Sequence, residues 1–168
     1  MKPTYLIPEN VLPSSVAAMR PYGARGHEGL ALWFGTTTDE VSELTHVVLP
    51  FGSGLTTHPL FLNLSMRAMV RLTAFAERHD LVWLGQIHSH PKQMLWLSEV
   101  DVEMGVKVQD YLSVVCPFYA QRSTDSFEQC GVHVFDGDGY RQMPDAEVAQ
   151  RFRLTAKPAE IVRIEVPA

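Results

Sequence analysis

Residues 87–101 read IHSHPKQMLWLSEVD, and that stretch decides how the chain around it is built. His88 and His90 close the apolar run LVWLGQIH (81–88), whose length and flanking residues mark a buried strand. Side chains alternate along a strand, so both imidazoles leave the same face. Pro91 takes the chain out of regular pairing, and the seven residues 91–97 supply a loop able to fold back. Ser98 and Asp101 then follow at i and i+3, which on the first turn of a helix puts both side chains on one side.

Outward from this stretch, strand and helix patterns alternate. LPSSVAAMRPYG (12–23) reads as a short helix, and GLALWFG (29–35) and LTHVVLPF (44–51) as buried strands. From Pro59 to His79 the spacing predicts one long helix, with Asn63, Arg67, Arg71 and Arg78 on one side and Leu62, Leu64, Met66, Met69, Leu72 and Phe75 filling the rest. Pro59 suits the first turn of such a helix, where a missing N–H costs nothing. YLSVVCPF (111–118) and CGVHVF (130–135) add two strands, DGDG (136–139) a turn opening onto YRQM, and EIVRIEV (160–166) an edge strand. The fold class is mixed α/β around one core, and with no repeat or long linker the 168 residues form a single expected domain.

Composition removes several function classes. The formal charge is −5, from 14 Lys and Arg against 19 Asp and Glu, and no basic cluster marks a nucleic-acid surface. No apolar run reaches bilayer-spanning length and the amino terminus lacks a signal-peptide core, so a cytoplasmic protein without membrane contact is expected. Cys116 and Cys130 are expected as buried free thiols.

Two imidazoles and one carboxylate suit Zn²⁺ with its fourth tetrahedral position left to water, the catalytic rather than the structural pattern. Taken separately, a histidine pair on a strand is also an ordinary hydrogen-bonded surface feature, and Ser-x-x-Asp is close to a capping box. Order and spacing together carry more than either half.

His88-x-His90-Pro91-x6-Ser98-x-x-Asp101 resembles the metal-binding motif of the JAMM (MPN+) metalloproteases, the JAB-domain family that includes AMSH-type deubiquitinases. HEGLALWFG (27–35) supplies Glu28 in the context where that family places its glutamate, though with a compressed spacer before Gly29 and Leu30. The resemblance implies a JAB/MPN, cytidine-deaminase-like fold with a central mixed β-sheet flanked by helices. It implies zinc on His88, His90 and Asp101, Glu28 as the base that deprotonates water, and Ser98 as the donor to the carbonyl oxygen. It further implies a deubiquitinase-like isopeptidase of the prokaryotic JAB branch, acting on a ubiquitin-like modifier and its conjugates, with E1-like and E2-like proteins as partners in bacterial antiphage defence. The alternatives are a peptidase that processes a sulfur-carrier protein and a non-catalytic MPN scaffold.

Other residues take plainer readings. Met94 and Trp96 either pin their loop to the core or line a groove for an extended tail. Residues 35–59 are where a modifier-binding surface is expected. Cys116, Cys130 and His133 read as core packing rather than a second zinc site. His46 reads as a strand residue, His58 as preceding a helix and His79 as ending one.

Overall fold

The computed structural model describes residues 2–168. In chain order its elements are β1 (Thr4–Pro8), α1 (Val11–Gly23), β2 (Leu30–Thr37), β3 (Val41–Phe51), β4 (Leu55–Thr57), β5 (Leu62–Leu64) and α2 (Met66–Arg78). There follow β6 (Val82–Ser89), α3 (Glu99–Met104), β7 (Leu112–Cys116), β8 (Gly131–Phe135), β9 (Tyr140–Gln142), α4 (Asp145–Arg151), β10 (Phe152–Thr155) and β11 (Glu160–Glu165). One mixed sheet runs β10-β1-β3-β2-β6-β7-β8-β9, with β11 pairing the second half of β3, and β4 and β5 form a separate two-stranded ribbon. This is the curled mixed sheet flanked by helices that the JAB/MPN expectation describes.

The central strands are apolar at nearly every position because both of their faces are covered. In β2, Ala31 and Trp33 pack with Val16 and Met19 of α1, while Leu30, Leu32 and Phe34 pack with Leu72 and Phe75 of α2. The indole N–H of Trp33 donates to Ser15 Oγ at 3.0 Å, so the polar atoms of these two buried side chains satisfy each other. Gly29, just before β2, lies so close to α1 that a β-carbon there would come within 2.8 Å of Met19.

The long helix expected from Pro59 starts only at Met66. Ser65 is the reason: its backbone is extended and its hydroxyl accepts from the Ala68 N–H at 2.9 Å, an N-cap that fixes the first turn. Leu62 and Leu64 alternate instead of following helical spacing, and pair with Thr57 and Leu55 across the ribbon. Pro59 and His58 therefore sit in the ribbon's turn, not at a helix start. The edge position expected for residues 160–166 is observed, as β11 pairs with β3 alone.

Candidate metal centre

His88 lies at the end of β6, opposite Leu30 of β2 on one side and Val115 of β7 on the other. His90 follows the strand's end. Its N–H donates to the Cys116 carbonyl at 2.9 Å and its carbonyl accepts from the Tyr119 N–H at 2.8 Å. Both imidazoles are about 1% exposed.

Ser98 and Asp101 form a reciprocal capping box on α3: Asp101 Oδ2 accepts from the Ser98 N–H at 2.7 Å, and Ser98 Oγ accepts from the Asp101 N–H at 3.1 Å. The same Oδ2 is 3.4 Å from His88 Nε2 and 3.1 Å from His90 Nε2, and the two Nε2 atoms are 3.0 Å apart. The cap reading of Ser-x-x-Asp is observed, and the same cap aims the carboxylate at the two imidazoles, as the ligand reading requires. Ser98 Oγ acts there as acceptor, so its own hydrogen stays available.

Metal–donor bonds of about 2.0–2.1 Å in a tetrahedron put the donors roughly 3.3 Å apart. The triangle of 3.0, 3.1 and 3.4 Å fits one face of that tetrahedron. Three lone-pair-bearing atoms so close, in so buried a place, need a cation or a proton between them. His88, His90 and Asp101 form the metal-binding cluster found among the described residues, and their donor set suits zinc with one position open.

Glu28 sits just outside the triangle, 2% exposed, with Oε1 3.8 Å from His90 Nε2 and no hydrogen-bond partner for Oε2. Burial first, and the Asp101 charge second, push its carboxyl up to about 8. Burial also raises Asp101, but hydrogen bonds from His88, His90 and the Ser98 N–H outweigh that and hold it far below the usual carboxylate range. A bound dication would draw Glu28 back down.

The sign of the Glu28 shift gives a test on metal-free protein. Between its ordinary 4.5 and about 8 the folded chain keeps a proton that the unfolded chain releases. Stability from this group is therefore complete below the lower value and lost as pH rises to the upper one, at most about 1.4 kcal/mol per pH unit. Burial lowers His133, which gives the opposite slope on the acid side of its ordinary 6.5, so the comparison must be between variants. Urea unfolding of chelator-treated protein should show the downward slope in wild type, and Glu28→Gln should flatten it. An identical slope in both would assign it to other groups.

Several residues at the site carried no signal in sequence. Ser89, between the histidines, accepts from the Gly29 N–H with its hydroxyl at 2.8 Å, tying the end of β6 to the residue after Glu28. Gly131 lets the 91–97 loop lie on β8, since a β-carbon there would be 1.8 Å from the Leu95 carbonyl oxygen. His133 is buried with Nδ1 3.2 Å from the Ser113 carbonyl. Strand alternation turns Cys130 toward the α1 side and His133 toward the opposite side, so the core-packing reading holds over a shared second ion. Cys116 and Cys130 are free and buried, as expected.

An apolar cavity of about 270 Å³ opens against His88 and Asp101, walled by Leu62, Leu64, Met66, Met69, Val100 and Met104. Neither Met94 nor Trp96 lines it, and Trp96 is 57% exposed. Residues 35–59 do not line it either. No helix among the described residues is long and apolar enough to cross a membrane.

No family model matches the chain. It is 24% identical over 154 residues to the probable metalloprotease y4jG of Sinorhizobium fredii, covering 91% of this chain and 95% of that protein. It is 28% identical over 115 residues to the human AMSH-like protease, covering 66% of this chain and a quarter (25%) of that longer protein. The solution structure of protein DSY2949 from Desulfitobacterium hafniense superposes with a TM-score of 0.58 at 17% identity, over 96% of this chain and 93% of that one, which shows a shared fold. Two histidines and an aspartate set on one tetrahedral face, on a sheet of this topology and in a sequence similar to two proteins named as proteases, support the resemblance to the JAMM (MPN+) zinc metalloproteases.

Proposed function

We propose that the chain is a zinc-dependent isopeptidase or peptidase that cleaves after the carboxy-terminal tail of a ubiquitin-like modifier, removing it from conjugates or maturing it. The observation that carries this is the buried Glu28 carboxylate, with Oε2 unpartnered and Oε1 3.8 Å from His90 Nε2, set beside a three-donor face suited to zinc. An extended, mainly apolar tail suits the cavity that ends at His88 and Asp101.

Bound zinc supplies Lewis acidity to the water and the amide carbonyl that reach it. His88, His90 and Asp101 would hold it. Glu28 takes the proton of the attacking water onto its carboxylate and passes it to the departing amine, so one group serves as base and then as acid. Ser98 donates its free hydroxyl hydrogen to the carbonyl oxygen as negative charge builds there, an interaction stronger in the transition state than in the substrate. No covalent enzyme intermediate forms. The setting in this reading is the bacterial cytoplasm, beside E1-like and E2-like proteins of an antiphage conjugation system.

The test is cleavage of a panel of ubiquitin-like modifiers, each fused through its tail to a reporter. The zinc-loaded chain should cut after the last residue of the tail, stop on chelation and resume with added zinc. Ser98→Ala should slow the reaction on the order of 10²-fold, about 3 kcal/mol, with zinc retained. A zinc-loaded chain that ignores every fusion but trims a sulfur-carrier precursor would put the alternative substrate in its place. Inertness toward both would leave a scaffold.

A further inference from the structure

The ribbon of β4 and β5 stands apart from the main sheet, yet its Leu62 and Leu64 wall the cavity beside the metal ligands. Its turn, His58–Phe61, is held from two directions. From the β2 side, the Glu28 N–H donates to the His58 carbonyl at 3.0 Å, and His27 Nδ1 lies 3.1 Å from Thr57 Oγ1. From the β7 side, the Tyr119 phenol donates to the Pro59 carbonyl at 2.8 Å.

Tyr119 reaches that carbonyl from an unusual backbone. Phe118, Tyr119 and Ala120 have φ of 56°, 51° and 58°, three successive non-glycine residues in the left-handed region. Such a run costs free energy at each residue and persists only where surrounding bonds fix it. Those bonds are present: the Phe118 N–H donates to the Lys92 carbonyl at 2.6 Å and the Tyr119 N–H to the His90 carbonyl at 2.8 Å. Gly23, at the end of α1, leaves the space, since a β-carbon there would be 1.9 Å from the Tyr119 carbonyl oxygen. The strained turn therefore places one residue that grips a metal ligand's backbone with its amide and the ribbon's turn with its hydroxyl.

We infer that Tyr119 is a positioning residue that latches the β4–β5 ribbon onto the metal centre, so that the cavity wall, the Glu28 backbone and the His90 backbone move as one unit. The latch acts through the ribbon and not by touching substrate. Its catalytic consequence rests on the reading of Glu28 as base and of the cavity as tail-binding, but its structural consequence does not.

The experiment uses Tyr119→Phe, which keeps the ring and removes only the hydroxyl, in the full zinc-loaded chain. Hydrogen exchange should quicken about tenfold across residues 55–64 and at the Glu28 amide, the factor that one hydrogen bond of ordinary net strength supplies. Zinc content should stay at the wild-type value, the urea midpoint should fall by no more than that one hydrogen bond accounts for, and on a cleaved fusion KM should rise more than kcat falls. Unchanged exchange in the ribbon overturns the latch. Quickened exchange spread evenly over the whole chain, with no excess in residues 55–64 or at the Glu28 amide, also overturns it, since that marks a general loss of stability. Because exchange needs no substrate, a ribbon that loosens in a protein with no peptidase activity would uphold the latch while the functional reading fails.

Discussion

Purified without chelator, the wild-type chain should carry about one zinc per molecule and His90→Ala essentially none. The expectation follows from the spacing of the three donors, which occupy one tetrahedral face at 3.0, 3.1 and 3.4 Å. Removing one donor leaves two protein ligands, below the three that hold zinc in catalytic sites of this type. His90 is the better choice than His88 because its backbone is anchored independently, to Cys116 and Tyr119, so losing the imidazole need not unravel the strand end. Asp101→Asn gives a finer separation. An asparagine oxygen still accepts from the Ser98 N–H and preserves the cap of α3, while the ligand charge is gone, so helix and zinc should part company in that variant. Equal and negligible zinc in wild type and variant, even after reconstitution, would defeat the metalloprotease reading of the site.

The two halves of the candidate metal cluster were legible in sequence because each half rests on local geometry, while their joining into one site came from the resemblance. Strand period alone puts His88 and His90 on one face, and the i, i+3 relation of Ser98 and Asp101 is a cap whatever else it does. The central strands were legible for a similar reason, since burial on two faces leaves a continuous apolar run. What stayed hidden depends on partners far away in the chain. β1 pairs with β10 through Tyr5 and Phe152, and nothing in TYLIP or FRLT announces that neighbour. The ribbon was hidden inside a helical pattern because Leu62 and Leu64 fit either period until Ser65 is known to cap. Tyr119 gave no signal at all, its role resting on a left-handed backbone that bonds to Lys92 and His90 make tenable.

Glu28→Gln should retain zinc and lose about 10²–10⁴-fold in kcat, the range that a positioned general base supplies. The substitution keeps the size of the side chain and one acceptor oxygen, but an amide cannot hold the proton of the attacking water or return it to the amine. Zinc should survive because Glu28 stands outside the ligand triangle, with its nearer oxygen 3.8 Å from His90 Nε2. The fold should survive as well, and the metal-free variant should be no less stable than wild type near neutral pH, because wild type there must either bury a negative charge or keep a proton on a carboxyl raised to about 8. Loss of zinc together with activity would make Glu28 a ligand and move the base elsewhere. Retention of both would mean that the proton leaves by another route, and the side chain whose Oε2 finds no partner in so buried a place would lack a chemical reason to be there. The combination of full zinc, a sound fold and lost turnover is the result that separates holding the metal from moving the proton, two tasks carried by residues that stand far apart in sequence, Glu28 and His90, and that the fold brings to 3.8 Å.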